Sequence, residues 1–179
     1  MNDYSSAFHL ISEITSQKAI ACILIGGYAV NFHKYTRQTQ DLDFMMVKED
    51  FDRIVTALQK AGYNQLETQE NFAQFKSSHP ALLDIDFMFV DQSTLEKILK
   101  DAKQVKIKDH SFFIPSVEHL IALKLHSMKG NYKIRWTKDF PDVISLIRAN
   151  KINIQADQFK AMCLKFGTPE LYQLIKENA

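Results

Sequence analysis

Two aspartates separated by one residue, Asp41 and Asp43, stand in a short apolar stretch around Leu42. Successive side chains of a β-strand point to opposite faces, so both carboxylates would lie on one face and Leu42 on the other. Carboxylates this close repel each other, and the pKa of each would rise unless a cation lay between them. Because Mg²⁺ prefers oxygen ligands, this spacing favours a magnesium site.

A second apolar stretch, residues 82–90, carries another such pair, Asp84 and Asp86. Alternation again places both side chains on one face of a strand. Unpaired carboxylates in a central strand cost several kcal/mol, so we expect this pair to meet a cation or to stand at the wet end of the strand. The residues alone leave Asp84 and Asp86 as equal candidates.

A glycine pair, Gly26-Gly27, ends an apolar run over residues 20–25 that is rich in β-branched side chains. This pattern is typical of a buried strand that stops at a tight turn. Without Cβ atoms a ligand can approach the backbone, and N–H groups at the start of a following helix can then meet a phosphate. We predict that helix over residues 28–35.

Two motifs carry a resemblance to known proteins: Gly26-Gly27 followed after thirteen residues by Asp41-Leu42-Asp43-Phe44, and Arg37-x-Thr39-x-Asp41-x-Asp43. The first resembles the signature of the DNA polymerase β-type nucleotidyltransferase superfamily. The second is similar to the small bacterial branch that contains the AbiEii-type toxins of abortive infection and toxin–antitoxin systems. Many members have Ser where this chain has Gly27, and the loss of one neutral hydrogen bond costs only ~0.5 to 1.5 kcal/mol.

The resemblance, which covers about residues 20–150, implies an α+β nucleotidyltransferase fold. Such a fold has a small mixed β-sheet flanked by helices, followed by a C-terminal helical bundle. It also implies two Mg²⁺ ions held by Asp41, Asp43 and a third acid on a neighbouring strand. In relatives that acid precedes apolar residues and then another Asp, which selects Asp86, with Asp91 as the trailing acid and Asp84 as the alternative. Asp86 would also act as the base.

The nucleotide, an NTP such as ATP, would be bound through its phosphates. The resemblance implies that the backbone of Gly26, Gly27 and Tyr28 cradles these phosphates. Side-chain cations would come from Lys124 and Arg37, although Arg37 could equally be the structural partner of a carboxylate. Relatives carry a Lys-Asp followed by a second Asp near residue 139, and one of the two acids is needed for activity.

Two of these assignments have structural alternatives. Lys124 lies in an apolar helical run that begins at Ser116, and by residue type alone its ammonium would reach out to solvent. Thr137 would cap a helix, and Asp139 and Asp142 would be ordinary acids of its first turn. A proline is tolerated in a first turn, which accounts for Pro141. The resemblance instead favours Lys124 as a phosphate ligand and Asp139 as the active acid.

Composition indicates an ordinary globular protein: 179 residues, 46% hydrophobic and 24% charged, with a net charge of +1. Residues 115–151 hold seven Lys or Arg against three acids, a local excess that suits a triphosphate, RNA or a solvated helix face. The two cysteines, Cys22 and Cys163, lie among apolar residues, which argues against a disulfide framework or zinc site. We expect a cytoplasmic protein with no membrane span.

We predict a catalytic domain over residues 1–114 and a C-terminal helical subdomain over 115–179 packed on it. The boundary is marked by Ile114-Pro115-Ser116. Ser93-Thr94-Leu95-Glu96 reads as a capping box that opens a helix through Lys103. Residues 105–114 read as a hairpin, and residues 131–136 as a polar, basic loop.

The leading hypothesis is a Mg²⁺-dependent nucleotidyltransferase that moves a nucleoside monophosphate from an NTP to an acceptor. By resemblance the acceptor is a tRNA or RNA end or a protein hydroxyl, and the enzyme is a toxin with a cognate antitoxin. Two alternatives stay open: a nucleotide-binding regulatory protein of the same fold without turnover, and a small-molecule nucleotidyltransferase of the kind that inactivates antibiotics.

Overall fold

The structure, a computed structural model, describes residues 4–130 and 132–179, and the side chains of all of these except 132–134. Within that part of the chain, seven strands form one sheet: β1 Ile23–Leu24, β2 Asp41–Met46, β3 Tyr63–Thr68, β4 Phe72–Ser77, β5 Asp84–Phe89, β6 Lys103–Ile107 and β7 His110–Ile114. The helices are α1 Ala7–Gln17, α2 Gly26–Asn31, α3 Lys48–Asp52, α4 Val55–Lys60, α5 Gln92–Lys100, α6 Val117–Gly130, α7 Tyr132–Asn150, α8 Asp157–Phe166 and α9 Pro169–Asn178. The predicted α+β fold is confirmed.

The sheet is mixed, with strand order β3-β4-β5-β2-β1-β7-β6. The pairs β2–β5 and β1–β7 are parallel, and the remaining pairs are antiparallel. The two strands that carry the acid pairs, β2 and β5, are therefore direct neighbours near the middle of the sheet.

One face of the sheet holds an aromatic core. Side chains alternate along β2 and β5, so Leu42 and Phe44 are fully buried beside Ile85 and Phe87, which are 0–1% exposed. The ring of Phe51 from α3 packs against Phe87, with ring centroids 5.2 Å apart. The acids between these positions point to the opposite face and are half-buried.

The described residues divide into two compact units. The sheet unit holds the residues up to Ala29 and Gln38–Pro115, and the helical unit holds Val30–Arg37 and Ser116–Ala179. Within the helical unit, α6 packs against α7 and α8, and α8 packs against α9. The predicted domains, 1–114 and 115–179, stay a prediction, and the compact units differ from them by giving residues 30–37 to the helical unit.

Helix α5 begins earlier than expected. The cap is Asp91, whose Oδ1 accepts a hydrogen bond of 2.8 Å from the backbone N–H of Thr94, and the helix ends at Lys100 rather than Lys103. The side chain of Ser93 donates to the same carboxylate. These hydrogen bonds lower the pKa of Asp91 to about 2. The predicted capping box at Ser93 is therefore wrong, because an acid two residues earlier competes successfully for the free N–H groups.

Helix α7 is longer than predicted. It runs from Tyr132 to Asn150, so residues 132–136 are helical rather than a loop, and Thr137 does not cap the helix. Residue 131, the other end of the predicted loop, lies outside the described residues. Pro141 stands in the helix interior instead of its first turn, and it is exposed. The polar and basic residues of 131–136 predicted a loop, but such residues also form the solvent face of a long helix.

The hairpin predicted over residues 105–114 is confirmed by β6 and β7, and it turns at Lys108, which has a positive φ of 54°. Helix α6 ends at Gly130. Thr168 caps α9 through a 3.2 Å hydrogen bond from the N–H of Leu171. Among the described residues, no helix is both long enough and apolar enough to cross a membrane.

Candidate active site

The parallel register of β2 and β5 brings the two acid pairs together. Asp41 stands opposite Asp84, and Asp43 stands opposite Asp86. All four side chains point to the face away from the aromatic core, because residues opposite each other in a ladder share a face. Four acids on adjacent strands therefore converge on one small area of the sheet.

Three of the four acids form a cluster. One carboxylate oxygen from each of Asp41, Asp43 and Asp86 lies within 4.8 Å of the other two, and all three residues are half-buried. Asp84 is not part of this group, since its Oδ1 accepts a 2.9 Å hydrogen bond from the backbone N–H of Ser77. The structure thus brings together the three acids assigned from the sequence, while metal binding itself stays a prediction.

The cluster fits divalent ions by its donor chemistry. It offers only carboxylate oxygens, the ligands that Mg²⁺ prefers. With metal–oxygen bonds of about 2.1 Å, ligand oxygens on opposite sides of one ion are about 4.2 Å apart, close to the spread of the cluster. Mutually repelling carboxylates at this separation are also stabilised by bound cations.

Neutral donors hold two of these carboxylates. Thr39 Oγ1 donates to Asp41 Oδ1 at 2.9 Å, and Gln74 Nε2 donates to Asp86 Oδ2 at 3.3 Å. Tyr28 also lies close to the cluster, and burial, together with the charge of Asp41, raises the pKa of its phenol. The sequence prediction assigned no role to Thr39 or Gln74, although Thr39 lies within the quoted motif and Gln74 alternates with buried residues of β4.

Only a glycine fits at position 26, because the carboxylate of Asp43 lies against its Cα. Its φ is +60°, and a Cβ at this position would lie only 1.8 Å from Asp43 Oδ2. The adjoining backbone is fixed as well, since the N–H of Ile25 donates to the carbonyl of Asp43 at 2.8 Å. The glycine therefore lets the turn between β1 and α2 pass directly against a candidate metal ligand.

Helix α2 begins at Gly26, two residues before the predicted start at Tyr28. Gly26, Gly27 and Tyr28 thus form its first turn, where backbone N–H groups have no intrahelical acceptor. Their assignment to the phosphates stays a prediction.

In the helical unit, Lys124 is buried among acids rather than pointing to solvent. It is 6% exposed, and its Nζ lies 2.8 Å from Asp139 Oδ1 and 2.7 Å from Asp142 Oδ2. Both acids are buried too, at 4% and 1%. They lie in the interior of α7, so the interpretation as first-turn acids is wrong. A buried ammonium needs such partners to offset its desolvation.

Arg37 completes this network. Its Nε and Nη2 donate to the two oxygens of Asp142 at 2.7 and 2.9 Å, a bidentate pair. Burial opposes the charged form, but the hydrogen bond and charge of Asp142 outweigh it, so the pKa of Arg37 is raised. This contact is the structural alternative foreseen for Arg37. The assignments of Arg37, Lys124 and Asp139 to nucleotide phosphates or activity stay predictions.

An open cavity of about 680 Å³ lies in the sheet unit, lined by residues 47–50, 70–71 and 89–92. It lies beyond the C-terminal ends of β2 and β5, whereas the acid cluster lies nearer their N-terminal ends. We assign it no part in the candidate active site.

The structure has a mixed sheet with three carboxylates from adjacent parallel strands, beside a glycine turn that opens a helix. This is the arrangement that the resemblance to the nucleotidyltransferase class implied. Residues 6–175 match the model of a family described as "Uncharacterised nucleotidyltransferase". The chain belongs to this family and is a transferase enzyme. The superfamily predicted from the sequence is thereby confirmed, and no curated protein sequence matches the chain.

Solved structures share the fold at low sequence identity. The solution structure of the antibiotic-resistance factor ANT(2″)-Ia has a TM-score of 0.63 and 13% identity over 94% of this chain and 92% of that chain. An antigenic nucleotidyltransferase-like protein from Paracoccidioides brasiliensis has a TM-score of 0.55 and 17% identity over 93% of this chain and 89% of that chain. The lincomycin-bound structure of the lincosamide antibiotic adenylyltransferase LnuA has a TM-score of 0.54 and 18% identity over 76% of this chain and 91% of that chain.

Proposed function

We propose that this protein transfers a nucleoside monophosphate from an NTP to a hydroxyl acceptor in a Mg²⁺-dependent reaction. The observation that carries the proposal is the cluster of Asp41, Asp43 and Asp86, whose carboxylate oxygens lie within 4.8 Å of one another. Asp41 and Asp43 would together hold a pair of ions, and Asp86 would hold the one on the acceptor side. Divalent ions bound there would lower the pKa of the acceptor hydroxyl and offset charge on the leaving pyrophosphate.

The transfer itself is an in-line displacement. The acceptor oxygen attacks the α-phosphorus, its proton passes to the Asp86 carboxylate, and the bond between the α-phosphorus and the bridging oxygen of the β-phosphate breaks. Pyrophosphate leaves. The chain contributes mainly by positioning the nucleotide and by electrostatic stabilisation.

We assign the nucleotide phosphates to the first turn of α2, at Gly26, Gly27 and Tyr28. The support is that N–H groups in the first turn of a helix have no acceptor within that helix and face its positive dipole end. Lys124 and Arg37 are the cations assigned to the β- and γ-phosphates, and Asp139 is the acid assigned to activity. For these three the support is the sequence resemblance. In the structure each already has an ionic partner.

For the acceptor we favour an RNA end, such as that of tRNA, or a protein hydroxyl, as used by a toxin with a cognate antitoxin. The support is the Arg37-x-Thr39-x-Asp41-x-Asp43 motif and its similarity to the AbiEii-type branch. The basic excess in residues 115–151 also suits an RNA acceptor, since cations drive non-specific binding to nucleic acid. A reducing cytoplasm, where both free thiols persist, is the proposed location.

A second candidate is a small-molecule acceptor. ANT(2″)-Ia, which has also been seen in complex with adenylyl-2″-tobramycin, is matched over 93% of its chain in that complex. The near-complete coverage of both chains shows that they are of similar size, and this supports a small-molecule acceptor as the second candidate.

The test is incubation of the purified protein with each labelled NTP, Mg²⁺ and, separately, total RNA, total protein and a panel of aminoglycosides and lincosamides. We expect label transfer to one acceptor class and its loss on removal of Mg²⁺ with EDTA. Asp86→Asn should lower the rate by at least about 10²-fold, because an altered metal ligand removes several kcal/mol of charge stabilisation.

Asp84→Asn is the matched control, because the amide oxygen keeps the hydrogen bond from Ser77 and the residue is outside the cluster. It should retain transfer. Transfer that survives Asp86→Asn, or that persists in EDTA, would refute the metal assignment. Tight NTP binding without pyrophosphate release, with every acceptor tested, would favour the regulatory alternative.

A further inference from the structure

One neighbour of the acid cluster has no part in the proposed reaction: Gln74, in the middle of β4. It pairs across the ladder with Asp86, and Asp86 in turn pairs with Asp43 on its other side. Gln74, Asp86 and Asp43 thus form one row on one face of the sheet. Asp86 is held between a second candidate ligand and an amide.

The contact between Gln74 and Asp86 is directional. Nε2 of Gln74 donates to Oδ2 of Asp86 at 3.3 Å, in a half-buried position. An ionised carboxylate only accepts hydrogen bonds, so it is the NH₂ group of the amide that must face it. A donor on one oxygen restricts rotation of the carboxylate and determines which oxygen is presented to an ion.

The chemical type of this neighbour matters as much as its position. A Lys or Arg here would form an ion pair with Asp86 and offset the negative charge that attracts divalent cations. A neutral amide orients the carboxylate and leaves the charge of the cluster unchanged. Thr39 stands in the same relation to Asp41, with a hydroxyl as the donor.

We propose that Gln74 is a positioning residue that orients Asp86 for the divalent ion on the acceptor side. This inference rests on the proposed function, since it assumes that Asp86 is a metal ligand. Its consequence is specific: removal of the amide weakens metal binding while the fold is retained. A side chain that only fills this face of the strand would have no such effect.

The experiment measures Mn²⁺ binding by electron paramagnetic resonance of the free ion, on the full chain. The variants are Gln74→Met, which keeps the size without the donor, and Gln74→Thr, which suits a strand but is too short to reach Asp86. The control is Gln104→Met on β6, an exposed residue on the same face of the sheet. Asp86→Asn identifies the site, and melting temperatures report on the fold.

We expect both Gln74 variants to weaken Mn²⁺ binding by about 10-fold or more, the usual effect of losing a group that orients a metal ligand. The Mg²⁺ concentration that half-activates transfer should rise by a similar factor, with partial recovery of the rate at saturating Mg²⁺. Gln104→Met should match the wild type.

Failure of the proposed function and failure of the role assigned to Gln74 give different results. If the wild type and Asp86→Asn bind Mn²⁺ equally, the metal site and the proposed function are both refuted. If Asp86→Asn loses binding but folded Gln74→Met and Gln74→Thr bind like the wild type, only the role of Gln74 is refuted.

Discussion

At the scale of single residues, Gly26 links the backbone to the acid cluster. Its left-handed φ is accessible to glycine at little cost, whereas other L-residues lose about 1–2 kcal/mol there. The space where a Cβ would stand is occupied by the carboxylate of Asp43. The absence of a side chain at this position therefore leaves the space in which the carboxylate of Asp43 reaches the cluster.

We predict that Gly26→Ala displaces the Asp43 carboxylate. The Cβ would lie 1.8 Å from Oδ2, so the side chain must rotate away from the cluster. Mn²⁺ binding should weaken by about 10- to 100-fold, and transfer should fall with it. Spin-resonance titration and the labelled-NTP assay measure the two effects.

The control is Gly62→Ala. Gly62 also has a positive φ, of 90°, but a Cβ there would meet nothing within 4 Å. It should lower the melting temperature through backbone strain and leave Mn²⁺ binding unchanged. Equal losses of binding in both variants would show that backbone strain, and not the contact with Asp43, is responsible.

At the scale of elements, the helical unit is held by a buried ionic network. Two cations, Lys124 and Arg37, meet two acids, Asp139 and Asp142, so the charges balance. Asp142 contributes to both pairs and is 1% exposed. The network connects α6, α7 and the segment that follows α2.

We predict that Asp142→Ala destabilises the protein by about 3–5 kcal/mol, because Arg37 loses its bidentate partner and Lys124 loses one of two carboxylates in a buried site. Urea unfolding measures the change. The exposed pair of Lys48 with Asp52 provides the comparison, and Asp52→Ala should cost less than about 1 kcal/mol. Similar costs for the two variants would contradict a structural role for the network.

A second prediction concerns α7. Pro141 lies inside this helix, cannot donate to the carbonyl one turn earlier, and is exposed. Pro141→Ala should restore the hydrogen bond without loss of packing and raise the free energy of unfolding by about 1–2 kcal/mol, after allowance for the more flexible unfolded chain. Urea denaturation would test this, and a loss of stability would show that the proline ring makes a necessary contact.

At the scale of the whole molecule, the sequence was most informative where alternation and motif agree. The period-two patterns predicted that the two acids of β2 share one face and that the two acids of β5 share one face. The family register selected Asp86, the acid that the structure places in the cluster. Residue type alone could not separate Asp84 from Asp86, because the difference lies in a hydrogen bond from Ser77 on a third strand.

Predictions failed where distant contacts outweighed local signals. Residue type alone placed the ammonium of Lys124 in solvent, and this alternative is wrong, since no nearby residue identifies Asp139 and Asp142 as its buried partners. The local pattern of α7 also gave a wrong prediction. A threonine followed by a proline is typical of a helix start, but in the structure both residues lie inside one continuous helix. The role of Gln74 depends on strand register, which a single sequence does not specify.

The thiol of Cys163 gives a prediction for the intact protein. Cys163 is 0% exposed, and burial raises its pKa to about 12, whereas Cys22 is half-buried. At pH 8 the thiolate fraction of Cys163 would be about 10⁻⁴, so this thiol should react very slowly with a disulfide reagent such as DTNB in the native protein. Both thiols should react at once in denaturant. Rapid reaction of two thiols per chain in the native protein would contradict the burial of Cys163.

The helical unit takes residues from two distant parts of the chain, and this affects protein synthesis. Arg37 leaves the ribosome 105 residues before its partner Asp142. At the usual 5–20 residues per second, the delay is about 5–20 s. During this time the nascent segment 30–37 has no completed unit to join. Translation must therefore pass the middle of α7, where Asp142 lies, before a newly made chain can neutralise this arginine.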